Sequence, residues 1–140
     1  MSSAQSIRTL LRVDAALCFA CGLPGVAASG WLAGFLLPGQ PALFGVSMPT
    51  AMLELGLLLA AYAGLLLTMA GRARIVPGFV AITVLGDGLW VLGTLVLLLA
   101  AGGAFSLWGS LALLLVAADT ALLGVLKWRA LNRSARPAVA

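Results

Sequence analysis

The sequence contains no histidine, and only four acidic and eight basic residues among its 140. Charged residues make up 9% of the chain and apolar residues 63%, whereas soluble proteins carry about a quarter charged residues. The absence of histidine excludes serine–histidine catalysis, and no glycine-rich phosphate loop occurs. We therefore expect a membrane protein that is not an enzyme and needs no cofactor.

Long apolar runs indicate membrane-spanning helices, because hydrocarbon offers the backbone no hydrogen-bond partners. About 20 apolar residues cross a bilayer once, and four such segments lie near residues 10–29, 50–70, 75–101 and 106–127. In the second, the small residues Ala60 and Gly64 predict a close helix contact. The sequence predicts an all-α membrane protein, a single four-helix antiparallel transmembrane bundle with a basic cytoplasmic tail at residues 128–140.

The basic residues cluster where alternating helices share one side of the membrane, at Arg8, Arg12, Arg72, Arg74, Lys127, Arg129, Arg133 and Arg136. The other two connections carry no charge. By the positive-inside rule, both termini of this multi-pass protein are predicted to be cytoplasmic, in a bacterial inner membrane. Contacts with lipid headgroups, rather than with nucleic acid, are expected for Arg72, Arg74, Lys127 and Arg129.

Residues 30–49 form a long connection for so small a bundle. They combine turn formers such as Pro38 and Gly39 with large apolar side chains such as Trp31 and Phe35. We expect a broken segment that lies in the membrane interface on the side away from the cytoplasm and caps the bundle. The alternative is a re-entrant loop, which would have to line a cavity.

Asp87 is unusual because it lies inside the apolar third segment. A carboxyl at such depth is rare and costs about 3 kcal/mol even on lenient insertion scales. Thr83, Trp90 and Thr94 lie at helical spacing before and after it and share its face. No lysine or arginine is predicted to reach this depth, so Asp87 is expected to be protonated and to hydrogen-bond between helices.

Asp119 is the other acid in the middle of a predicted helix. At ~1.5 Å per residue, Asp87 and Asp119 lie about 19 and 12 Å from the basic ends of their helices, so they differ little in depth. Glu54 and Asp14 are predicted near helix N-termini, where the helix dipole favours acids. The functional alternative is a proton path through Asp87 and Asp119 with Glu54 at its outer mouth.

Cys18 and Cys21 form a CxxC pair, a spacing typical of thiol redox sites when it begins a helix. Here the pair lies inside the apolar first segment, which disfavours the thiolate, and no second cysteine pair is present to pass electrons on. Two thiols without histidine make only a partial metal site, so no metal is expected.

Three short motifs resemble a group of small bacterial four-helix integral membrane proteins of uncharacterised function. The motifs are Arg12-Val13-Asp14-Ala15, Asp87-Gly88-Leu89-Trp90 and Lys127-Trp128-Arg129, in the first, third and fourth helices. In that group the third-helix motif more often begins with asparagine. The resemblance therefore implies a hydrogen-bonding role for Asp87 rather than a shared proton chemistry.

These features favour a non-enzymatic accessory, assembly or scaffold protein. Its expected partners are the lipid bilayer and either a second copy of itself or a larger membrane complex. The first alternative is a small proton-coupled transporter that uses Asp87 and Asp119 as carriers. The second is a membrane thiol redox protein that uses Cys18 and Cys21.

Overall fold

The computed structural model describes residues 3–135, which are mostly helical. Four of the helices are long and apolar enough to cross a membrane: α1 (Ser3–Ala27), α3 (Met48–Gly71), α4 (Pro77–Ala101) and α5 (Leu107–Ala135). They pack against each other as a bundle. The predicted fold class, an all-α protein with four membrane-spanning helices, is confirmed.

Two helices extend further than predicted at the end of the bundle that carries Arg8, Arg72 and Arg133, which we call the basic end. There α1 begins at Ser3 rather than near residue 10, and α5 continues to Ala135 rather than stopping near residue 127. Lysine and arginine are good helix formers, so charge did not end either helix. The last residues of the predicted tail, Arg136 among them, lie outside the described part of the chain.

The four long helices are packed in the order α3, α1, α5, α4. Each packs on the next, but α3 and α4 make little direct contact within residues 3–135, although the short connection 72–76 joins them. At the basic end, apolar side chains from all four helices form a core: Ile7, Leu11, Ala15, Ala63, Leu66, Ala70, Val80 and Ala130. Beyond this core, the α3–α4 side of the bundle is not closed by helix packing.

Glycines bring α1 and α3 close together. A Cβ atom added at Gly25 would lie 2.6 Å from the carbonyl oxygen of Met52, and one added at Gly56 would lie 2.7 Å from that of Gly22. Both distances are too short for a side chain, so this backbone-to-backbone contact requires glycine. Gly64 is one of the two small residues predicted to make such a contact. A Cβ atom added at Gly64 would have no neighbour within 4 Å, so the prediction is wrong for this residue.

The opposite end of the bundle, the uncharged end, is covered by the segment between α1 and α3. The segment contains a short helix and a two-stranded antiparallel hairpin: α2 (Ser29–Leu36), β1 (Ala42–Leu43) and β2 (Val46–Ser47). Phe44 and Gly45 at the hairpin turn have φ angles of 53° and 80°, as a two-residue turn of this hand requires. Side chains from α2 pack on the first turns of α3 and on the residues before α5. The segment therefore caps the bundle, as the interfacial prediction requires, and does not enter it.

Ser106 fastens this cap to α5. Its Oγ accepts a hydrogen bond from the N–H of Gly109, which caps the start of α5, and donates one to the carbonyl oxygen of Phe35, both at 2.8 Å. Its backbone N–H donates to the carbonyl oxygen of Leu36, also at 2.8 Å. The cap thus joins the α1–α3 side of the bundle to α5.

Candidate functional site

Lys127 of α5 lies between two carboxylates in the interior of the bundle. Its Nζ donates a hydrogen bond of 2.7 Å to Oδ2 of Asp14 in α1. The same nitrogen lies 2.6 Å from Oδ2 of Asp87 in α4 and forms an ion pair with it. Lys127 is 0% exposed and each aspartate 5%. One ammonium therefore links three helices, and we call Asp14, Asp87 and Lys127 the ion cluster.

The ion cluster corrects two predictions. The expectation that no cation reaches Asp87 is wrong, because α5 continues for about 12 Å beyond Lys127 and places it inside the bundle instead of among lipid headgroups. The expectation that Asp14 lies in the first turn of its helix is also wrong, because α1 begins about 16 Å before it. A neutral Asp87 was expected from the lack of a cation, so that expectation loses its basis.

The charges of the ion cluster do not balance. Two ionised carboxyls and one ammonium leave one excess negative charge, which is costly in an apolar interior unless something compensates it. A single proton shared by the two carboxyls would make the cluster neutral. The arrangement is therefore suited to holding and releasing one proton.

Gly124 allows the close approach of α4 and α5 at the ion cluster. A Cβ atom added there would lie 3.3 Å from both Cβ and Oδ2 of Asp87. Gly124 comes three residues before Lys127, so it lies on the same face of α5. This glycine makes room for the carboxylate beside the lysine.

A cavity of about 270 Å³ adjoins the ion cluster on the side away from the basic end. All four long helices contribute to its wall, which is largely apolar. Its side chains with polar groups come from each helix: Asp14, Cys18, Cys21, Tyr62, Asp87, Trp90, Asp119 and Thr120. The hydroxyl oxygen of Tyr62 is buried and has no hydrogen-bond partner among the described residues.

The structure brings together some of the predicted site residues and separates others. Asp87, Trp90 and Asp119 line the cavity. Thr83 and Thr94 are buried outside the cavity wall, and the Thr83 hydroxyl donates to a carbonyl of its own helix. Glu54 lies in the second turn of α3 rather than in the predicted first turn, because α3 begins at Met48. It is exposed and is not part of the wall, so the structure does not join it to Asp87.

Cys18 and Cys21 are free thiols, partly buried in the cavity wall. Sγ of Cys18 lies 3.7 Å from Oδ1 of Asp14 and donates a weak hydrogen bond to it. Within residues 3–135, no three side chains of histidine, cysteine, aspartate or glutamate are grouped as metal ligands. The two thiols therefore belong to the weakly polar part of the cavity wall.

Sequence reasoning missed Lys127, Asp14 and Tyr62 as site residues. One signal was present for the lysine: Thr120, Gly124 and Lys127 recur at steps of four and three, which places them on one face of a helix. Asp14, Cys18 and Cys21 likewise recur at steps of four and three, which places them on one face of the first helix. Tyr62 carried no comparable signal.

The chain matches no family model, no curated protein and no solved structure. Its class follows from the structure alone: a four-helix membrane protein with a buried lysine–aspartate cluster beside an apolar cavity.

Proposed function

We propose that this protein is a small proton-linked carrier, in which the ion cluster holds the proton and the adjoining cavity holds the cargo. The observation that carries the proposal is the position of two carboxylates on one fully buried ammonium beside a cavity. Ionisable groups inside a membrane bundle are expensive, and they commonly mark ion or proton pathways.

The coupling follows from the charge of the ion cluster. A proton on one carboxyl neutralises the cluster, and a cargo with positive charge in the cavity would neutralise it as well. Two ligands that compensate the same charge compete, and competition between two sites is a coupling free energy that acts in both directions. Protonation also weakens the pairing of Lys127 with one aspartate, and so the link between two helices.

Proton binding by the ion cluster can be measured by infrared spectroscopy on the full chain in lipid vesicles. We expect a carboxyl C=O band that grows as the pH falls and is lost in Asp87→Asn, because that variant leaves one carboxylate paired with one ammonium. Glu54→Gln is the matched control, since it removes an exposed acid outside the cavity. A titrating band that is the same in Asp87→Asn and in the unmodified protein would contradict the proposal.

The accessory or assembly role expected from the sequence remains a second proposal. It is supported by three exposed aromatic side chains on the cap, those of Trp31, Phe35 and Phe44. The rings of Trp31 and Phe35 stack with their centroids 5.4 Å apart. A stoichiometric larger complex purified in mild detergent would favour this role over a carrier. The thiol redox hypothesis rests on Cys18 and Cys21 alone.

We also propose that both termini lie in the cytoplasm of a bacterial cell with the basic end at the inner face of the membrane. In support, the Arg8 guanidinium donates hydrogen bonds to the carbonyl oxygens of Arg72 at 3.0 Å and Ala73 at 2.7 Å, so the arginines of α1 and of the α3–α4 connection share one end. Reporter fusions at either terminus are expected to show cytoplasmic activity. Periplasmic activity at either terminus would overturn this orientation.

A further inference from the structure

We infer that the cavity binds a lipophilic organic cation that reaches it from the bilayer between α3 and α4. The inference rests on the proposed function, since it names the class of cargo that the carrier would take. It is carried by the charge of the cavity wall, its aromatic side chains and the unpacked side of the bundle.

The cavity wall carries acidic side chains and no basic one. Asp14, Asp87 and Asp119 line it, whereas Lys127 lies behind the wall. The ion pairs of the described residues join Lys127 to Asp14 and Asp87, so Asp119 has no cationic partner there. A positively charged ligand would supply the charge that the wall lacks.

Two aromatic rings accompany these acids. Tyr62 of α3 and Trp90 of α4 both line the cavity. Aromatic faces attract organic cations, and the attraction strengthens where water is excluded. The remaining wall is mostly leucine and valine, which suits the apolar groups of an alkyl or aryl ammonium and offers little to a hydrated metal ion.

The cavity has an edge that faces lipid. The core at the basic end closes it on one side, and the cap covers the uncharged end. One exposed residue of each long helix belongs to the cavity wall, namely Leu17, Leu58, Gly86 and Asp119. Of the neighbouring sides of the bundle, the α3–α4 side has little packing, so we place the opening there. A molecule dissolved in the bilayer therefore reaches the acids without crossing the polar phase.

The test uses benzyltriethylammonium and the full chain in lipid nanodiscs, with binding followed by calorimetry. We expect saturable binding that is weakened about tenfold in Asp119→Asn, which removes a charge without disturbing the ion cluster. Glu54→Gln replaces an exposed acid outside the cavity, so this variant should bind benzyltriethylammonium as the unmodified protein does. No binding, or equal binding by Asp119→Asn, would overturn the inference.

Two glycines of α4 provide a matched pair for the position of the site. Gly86 lines this cavity, whereas Gly88 lines a separate pocket between α4 and α5 that also contains Asp87; both glycines are exposed and both have open space where a Cβ would be. Gly86→Phe is expected to abolish binding of benzyltriethylammonium, because the ring would fill the opening, while Gly88→Phe retains it. Equal affinities in the two variants would place the ligand elsewhere and overturn the inference.

The same calorimetry separates this inference from the carrier proposal. Competition between cation and proton predicts proton release on binding, and hence a measured heat that depends on the buffer. Binding that requires Asp119 but releases no proton would support the cation site and contradict the proton-linked carrier. A titrating Asp87 carboxyl in a protein that does not bind the cation would support the carrier and overturn the cation site.

Discussion

Lys127→Met is expected to destabilise the bundle by about 3–5 kcal/mol, the usual effect of removing one partner from a buried ion pair. Methionine fills a similar volume but supplies no charge. Asp14 and Asp87 would then face each other in an apolar interior, and at least one of them would have to take up a proton. The free energy of unfolding can be measured by titrating the protein in mixed micelles with sodium dodecyl sulfate.

Arg129→Met is the matched control for this experiment. Arg129 lies two residues further along the same helix, is exposed and belongs to the basic end. Its loss should change the free energy of unfolding by no more than about 0.5 kcal/mol. Equal stabilities of Lys127→Met and Arg129→Met would show that the ion cluster does not hold the helices together.

Gly56→Ala is expected to destabilise the protein by about 1–3 kcal/mol, the cost of overpacking a close contact. The new methyl group would lie 2.7 Å from the carbonyl oxygen of Gly22 and 2.8 Å from the backbone nitrogen of Val26. Backbone atoms cannot rotate out of the way as a side chain can, so α1 and α3 would have to separate. The measurement is again the free energy of unfolding in mixed micelles.

Gly64→Ala, on the same helix as Gly56, should change stability in the opposite direction. An added Cβ there meets nothing within 4 Å, so the variant gains helix propensity, worth about 0.5–1 kcal/mol, without a clash. The opposite signs distinguish a packing requirement from a general effect of glycine in α3. Destabilisation by both variants to the same extent would contradict the close α1–α3 contact.

The fold was predictable because its main cause is visible in the sequence. A bilayer requires long apolar helices, and four runs of sufficient length are present. The ends of the helices were harder to predict, because charged residues do not reliably mark them. Lys127 is an example: a charged residue continues a helix when a partner in the tertiary structure compensates its charge.

The candidate site was predictable only in part. Asp87, Trp90 and Asp119 stood out because polar or bulky groups at helical spacing interrupt apolar segments, and all three line the cavity. The partner of Asp87 could not be found in the same way. Lys127 is 40 residues from Asp87 and 113 from Asp14, so their contact depends on which helices are neighbours, and local periodicity does not determine that.

A double-mutant cycle between Lys127 and Asp87 tests most directly whether the buried ammonium and carboxylate interact. The free energy of unfolding is measured for Lys127→Met, Asp87→Asn, the double variant and the unmodified protein. The ion cluster predicts that the double variant is more stable than Lys127→Met alone, with a coupling energy above about 1 kcal/mol. Additive effects of the two substitutions would contradict a direct ion pair and with it the proposed proton site.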